Sequence, residues 1–542
     1  MKGIAMRCTR VALFVVVCAL AIVALAAPIA SAEPVAGGTL AYQLSSKPAG
    51  IDPLYAQFDS QAAIVVDALF DGLTSWDAQT SAVLPAAASS WDANVKVTVW
   101  TFHLRAGAKF SNGTPVTAQD FKFAWERLFT GPVEGLAGYL LGDVKGAAAM
   151  AAGKAKHLSG VVAQNKTTLV VKLRTPLADF PSTAANMYLA PVPRGLLSTA
   201  KKAAQFRNAP VGNGPFMLAE PWNRKSTVSL APNHSYYGTA PHIAGITFTV
   251  IADLAAAYVQ FQAGTLDVAN FPAASLAEVE AAYGTSADGF TAEPGHQVIL
   301  GPSAGVLFWV FNTSMAPLND VLVRRAFSLA LDRTKLSAAV STTAVQAPAT
   351  GMLSPGVPGY LPNQWLYAKL DLAQAAALLT EAGFPGGVGL PEITCLYTDL
   401  TTESEFKTNL AAIGVTVKLV KVSQAQFWGK WSSGKFMTFQ GGWIDDAPTA
   451  DNVLYNLFYG PPNRSGSFYD DAAVNASLRQ ARETLDTAAR VAAFQSIDAA
   501  IAADVPVTPI AYFNRTVICS ARLHEAVLSP MNLFDFTRVW IK

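Results

Sequence analysis

Residues 99–127 read VWTFHLRAGAKFSNGTPVTAQDFKFAWER, and the reading of this stretch decides the fold. Its first six residues alternate, with Val99, Thr101 and His103 on one face and Trp100, Phe102 and Leu104 on the other, the period of a strand with one buried side. Ser111-Asn112-Gly113 marks a turn, because Asn and Gly tolerate left-handed backbone. Thr117 then opens a helix. Its hydroxyl is placed to accept orphan N–H groups, and Asp120 stands as the displaced acid of a capping box. Phe121, Ala124, Trp125 and Leu128 follow at helical spacing.

Outward from this unit, strands and helices alternate. The pattern predicts strands over 39–44, 95–104, 216–221, 227–232 and 243–251, and a hairpin over 161–173 that turns at 164–166. Helices are predicted over 61–70, 252–263 and 372–381, the last stopped at Gly383. Leu478, Ala481, Leu485, Ala488, Val491, Phe494 and Ile497 step by three and four, which predicts one long amphipathic helix over 475–503 ending near Pro506. Alternation of this kind argues an α/β architecture. No internal repeat of roughly 20 to 50 residues is visible, which excludes a solenoid.

A chain of 542 residues exceeds what one core holds, and 51% hydrophobic against 14% charged residues describes a packed globular protein. Residues 1–32 carry Lys2, Arg7 and Arg10 and no acid; without them 36 basic and 38 acidic side chains leave a net charge of −2. That balance does not point to nucleic acid or to an anionic membrane surface. The basic start, the apolar run over 11–27 and Ala30-Ser31-Ala32 predict an export signal cleaved before Glu33. An uncleaved anchor is the alternative. A lipidated N-terminus at Cys18 is disfavoured, since Val17 precedes it and it lies mid-run. Cys395 and Cys519 remain after cleavage, free to form one disulfide or to sit as two buried thiols. The six histidines are scattered, and no Cys or His pair has metal-ligand spacing, so neither a metal nor a cofactor is expected.

Further segments carry a resemblance. Asn233-His-Ser-Tyr-Tyr-Gly238, Val323-Arg-Arg-Ala-Phe-Ser-Leu-Ala-Leu-Asp-Arg333, Gly442-Trp-Ile-Asp-Asp446 and Ser520-Ala-Arg-Leu523 follow the stretch at 99–127 in order. Together they resemble the extracytoplasmic solute-binding proteins of the peptide and nickel ABC-importer family. The resemblance implies a two-lobe periplasmic-binding-protein-like fold with an extra inserted domain and mixed sheets flanked by helices. Carried over, it places lobe I at 33–78, 206–298 and 511–542, a satellite domain at 79–205 and lobe II at 299–510, hinged near 299 and 510. It implies an exported, monomeric, non-catalytic receptor, periplasmic or on the outside of the cell envelope, that delivers peptides to an ABC-transporter permease.

The candidate site is Gly442-Trp443-Ile444-Asp445-Asp446, an odd run for a core strand because burying a carboxylate needs a compensating cation. In the family, the acid three positions after this Trp grips the ligand's α-ammonium, which by motif position implies Asp446. An ionised carboxylate in a dry cleft makes a charge-assisted bond to an ammonium and is costly unpaired. Backbone at Gly442 and Trp443 is expected to pair with a peptide main chain as an added strand. Asp445 departs from the small residue common before the anchoring acid, and a second acid favours a more cationic ligand. Gln440 stands where oligopeptide binders often place a basic residue. Trp431 is a candidate wall, Trp428 is expected in the core, and Tyr42, Gln43 and Ser45 end the first strand where this family's cleft opens. Arg324, Arg325, Asp332 and Arg333 read as structural ion pairs or a solvated face.

Three rivals accompany this reading. The same fold can take a sugar, a metal chelate or another small solute. Gly301-Pro-Ser303-Ala-Gly305 matches the nucleophile pattern of exported serine hydrolases, but that elbow needs a helix after the Ser, and residues 306–311 read as a second strand after a Gly/Pro loop. The third rival is a scaffold with no cleft.

Overall fold

Two long strands, Val298–Phe311 and Val507–Cys519, run antiparallel through the middle of the molecule. The computed structural model describes residues 34–56, 60–131, 136–340, 346–399, 402–461 and 463–542. The export signal and the question at Cys18 fall on residues 1–33, outside the described residues. No helix among the described residues is long and apolar enough to cross a membrane.

The long strands pair from Val298↔Ile518 to Pro302↔Asn514, lose register, and resume at Val306↔Tyr512. One continuous strand thus replaces the two strands and Gly/Pro loop expected across 297–311. Pro302 lies at the break, where its missing N–H breaks no ladder bond. On one side the sheet continues through Val268–Ala269, Thr39–Leu44, Gly245–Val250, Thr227–Pro232 and Phe216–Leu218; on the other through Thr438–Ile444, Ile393–Tyr397 and Val417–Lys421. Thr39–Leu44 and Gly245–Val250 pair in parallel, as do Ile393–Tyr397 and Val417–Lys421, while the remaining long pairings are antiparallel. With helices such as Leu254–Gln262, Val321–Ala330 and Thr487–Asp504 beside it, this is the mixed α/β architecture the alternation predicted.

The unit at 99–127 folds as read. Val99–Leu104 joins a separate four-stranded sheet between Ala88–Ala93 and Thr168–Lys172, with Trp100, Phe102 and Leu104 buried. Helix Ala118–Leu128 opens with the capping box of Thr117 and Asp120. The Asp120 carboxylate accepts from the Thr117 N–H (2.9 Å) and from its hydroxyl (2.6 Å). Phe102, Trp125 and Phe180 of this region share one apolar core with Leu40, Phe216 and Phe248, whereas residues 304–512 build two further cores around Phe308 and Trp309.

The long helix expected over 475–503 is two, Ala472–Glu483 and Thr487–Asp504. Asp486 breaks the run by accepting the Ala489 N–H as an N-cap, and Arg490 clamps the carbonyls of Thr484 and Leu485, so the apolar period continues while the backbone bends. Cys395 and Cys519 are separate buried thiols.

The arginines of the 323–333 segment serve carbonyls, not acids. Buried Arg324 donates to Leu318, Asp504 and Val505, and buried Arg333 to Pro509, Ser328 and Leu331 and to the Thr508 hydroxyl. Both hold the start of the strand Val507–Cys519, where Val505 adopts a left-handed φ of 46° that a β-branched residue resists. Desolvation lowers their pKa values to about 10 and about 9, still charged at neutral pH. Arg333→Met removes these side-chain donors from the core, so we expect a loss of about 2–4 kcal/mol in stability, measured as a lower urea midpoint at unchanged m-value.

Candidate functional site

Strand Thr438–Ile444 pairs along its length with residues 305–311, but on its other side only Thr438 and Phe439 have partners, Cys395 and Leu396. From residue 441 to 444 no described strand covers that second edge. Gly441 and Gly442 are needed there. A Cβ on Gly441 would stand 2.8 Å from the Phe308 ring, and one on Gly442 2.9 Å from Leu307. The result is a bare backbone edge, with Gly442 and Ile444 exposed.

Beyond that edge the chain turns inward. Trp443 is half-buried; its Nε1 donates to Asn452 Oδ1 at 3.1 Å, and its ring meets Tyr139 edge-on at 5.8 Å between centroids. Asn452 Nδ2 in turn donates to the Tyr139 hydroxyl at 3.2 Å, and the Arg464 guanidinium lies 4.7 Å over the Tyr139 ring. The Tyr139 hydroxyl hydrogen-bonds the Asp446 carboxylate. Asn186 Nδ2 holds the Asp446 carbonyl at 2.9 Å. Burial pushes the Asp446 carboxyl up to about 6, moderated by the Tyr139 hydrogen bond and the charge of Arg464.

Asp446 lines a cavity of about 80 Å³ with Tyr139, Asp143, Asp179, Asp451 and Arg482. The charges around this cavity join distant parts of the chain. Arg482 Nη2 reaches Asp143 at 2.7 Å, and Arg490 reaches Asp179 at 2.9 Å. Arg482 Nε stands 3.1 Å from Asp451 as an ion pair without hydrogen-bond alignment.

Asp445 goes a different way. It is 4% exposed, its N–H donates to Ala304 O at 3.1 Å, and neither carboxylate oxygen has a hydrogen-bond partner. Burial first, then the neighbouring Asp446, hold its proton well above the ordinary carboxylate range. Gln440 is half-buried, and its side chain accepts from the Thr402 hydroxyl.

The structure does not bring the remaining candidates to this cleft. Tyr42 is buried among Phe248, Phe534 and Phe536. Gln43 is fully buried and holds the Ile251 carbonyl and the Asn270 amide. Ser45 gives its N–H to Gln61. Tyr42 and Gln43 are framework, because their side chains are packed in the core; Ser45, just past the strand, is half-buried. Trp431 packs against the core beside Gly466, and Trp428 is 56% exposed where core was expected. Ser303 is buried and gives its hydroxyl to Phe513 O at 3.0 Å, in mid-strand with no helix after it; His524 stacks on Trp540. Among the described residues no group of three His, Cys, Asp or Glu could hold a metal ion.

Tyr139, Asn186, Asn452 and Arg464 were not legible in advance. Only Asn452 offered a signal, as a polar residue one turn into the helix Ala450–Phe458 that follows the Gly-Trp segment.

Comparison with known proteins gives the following. The model for bacterial extracellular solute-binding proteins, family 5 (middle region), matches residues 82–465. The periplasmic murein peptide-binding protein of Escherichia coli (strain K12) is 28% identical over 489 residues, 87% of each chain. The probable deoxycholate-binding periplasmic protein of the same organism is 29% identical over 512 residues, 90% of this chain and 91% of its own. The unliganded open form of a periplasmic murein tripeptide-binding protein superposes with a TM-score of 0.79 at 25% identity, covering 94% of this chain and 99% of that one.

The raised Asp446 pKa has a stability consequence. The folded state holds this proton more tightly than the unfolded chain, so the contribution is present at low pH and is lost as pH rises from about 4 to about 6. Asp446→Asn removes that slope. Its stability relative to the native protein should climb across this window by at most about 1.4 kcal/mol per pH unit and level off above it, measured by urea unfolding at pH 4 to 7.5.

Proposed function

The chain belongs to the bacterial extracellular solute-binding proteins of family 5, and from that premise we propose that it captures peptides outside the cytoplasmic membrane for an ABC-importer permease. The observation that carries this reading is the juxtaposition of a bare backbone edge at 441–444 with the half-buried Asp446 carboxylate just past its end. A peptide laid along that edge gains main-chain hydrogen bonds whatever its side chains, and its α-ammonium meets the carboxylate. Members of the family are binding proteins, and the reading needs no catalytic step.

Closure is the transport signal in this proposal. Lobe I (33–78, 206–298, 511–542) with its satellite (79–205) moves against lobe II (299–510) about the register break in the two long strands. The ion pairs of Asp143 with Arg482 and Asp179 with Arg490 span satellite and lobe II and favour the closed arrangement. A ligand that bridges both sides shifts the population toward that form, which the permease reads. The receptor acts as an exported monomer.

A second reading, a non-peptide solute, draws on the relative named as a probable deoxycholate binder and on Gln440 in place of a basic residue. The Asp446 carboxylate, ionised at neutral pH, disfavours an anionic ligand in that cleft.

Titration calorimetry decides between them. Tri-alanine with a free amine should bind at pH 7.5. N-acetylation, or Asp446→Asn with the free peptide, should weaken it at least about 100-fold. Affinity should also fall as pH drops below about 6, because the carboxylate must lose its proton to receive the ammonium. Equal binding of free and acetylated peptides would overturn the α-ammonium anchor at Asp446, and binding of neither would falsify the peptide reading.

A further inference from the structure

Where the long strands lose register, their separation leaves room. Ala304 sits in the gap, its N–H held by Pro530 O at 2.8 Å and its carbonyl by the Asp445 N–H. A cavity of about 280 Å³ opens there, distinct from the one Asp446 lines, with Ile444, Asp445, Phe513, Asn514, Pro530 and Met531 in its wall. Asp445 is 96% buried, and both its carboxylate oxygens lack a partner; Asn514 Oδ1, in the same wall, lacks one too. Asp445 and Asn514 thus both belong to the wall of this cavity, their unpartnered oxygens lying just beneath its surface, and none of the residues lining it is basic. Asp446 is the adjacent charge on the same segment, and Asp288 is the acid nearest Arg515. Arg515, the next residue after Asn514, aims elsewhere: its guanidinium donates to Leu528 O and Gly289 O and covers the Phe290 ring.

A buried carboxylate with no donor is costly unless a cation completes it. The set of acceptors selects the cation. A primary ammonium is a compact charge with three N–H donors, which suits one carboxylate with an amide oxygen beside it better than the broad five-donor fork of a guanidinium. The apolar groups of Ile444, Phe513, Pro530 and Met531 suit a methylene stem behind the ammonium.

We propose that this cavity is a second cation pocket, taking a primary alkylammonium on a methylene chain: the side chain of a lysine in a peptide whose α-amine engages Asp446. The lysine assignment rests on the peptide reading above; the pocket itself does not. Asp445 and Asp446 are adjacent residues in the walls of separate cavities, so this segment can hold two cations of one ligand. Without a ligand Asp445 retains its proton, which the arriving ammonium displaces.

Calorimetry with Ala-Lys-Ala and its isostere Ala-norleucine-Ala tests this. The native protein should prefer the lysine peptide at least about tenfold at pH 7.5, with the preference shrinking as pH falls. Asp445→Asn should bring the ratio of the two affinities to near one. Equal affinity of the native protein for the two peptides overturns the proposal, even if the variant fails to fold, and so does a lysine preference that survives Asp445→Asn. If neither peptide binds, the peptide reading fails by itself. The pocket is then decided by n-butylammonium: a rise in melting temperature that Asp445→Asn removes upholds it, and no rise overturns it.

Discussion

The antiparallel pairing of Val298–Phe311 with Val507–Cys519, interrupted between Pro302 and Val306, is the constraint on which the rest of the structure depends. These strands carry hydrogen bonds into the sheet on both sides, so every layer is referred to their register. A uniform ladder would be stiff and closed. The interruption leaves the two strands paired on either side of it and opens a place where Asp445, Ala304 and the Pro530 loop meet. The open edge at 441–444 and the cavity walled by Asp445 adjoin this region.

Buried charge is distributed around that frame in two contrasting ways. Arg324 and Arg333 lie in the core with their guanidinium donors on backbone carbonyls, where they fix the approach to the second long strand. Their desolvation is offset by bonds that the fold itself supplies. Asp445 lies beside the interruption without such compensation, and Asp446 receives it only in part, from the Tyr139 hydroxyl and the charge of Arg464; each holds its proton above the ordinary range. Charges matched from within hold architecture together; charges left short of partners indicate what is expected from outside.

Much of this was written locally. Alternation at 99–104 and the apolar spacing at 121–128 announced their elements, because a strand's period and a helix's period are properties of neighbours in sequence. The break at 484–486 was not, since the apolar period runs through it and only the cap at Asp486 with the Arg490 clamp ends the helix. Tyr42 and Gln43 misled for a related reason. The end of a strand can face a cleft or a core, and Phe248, Phe534 and Phe536, distant in sequence, settle it for Tyr42.

Sequence by itself determined the class of fold, the order of its elements and the acid pair at 445 and 446, since these rest on local periodicity and on motif residues close along the chain. Only tertiary structure decided that Tyr139, Asn452 and Arg464 gather around Asp446 while Asp445 turns into a separate cavity. Tyr139 and Asn452 are 313 positions apart, and no pattern along a chain encodes which of its distant surfaces the packing of two long strands will bring face to face.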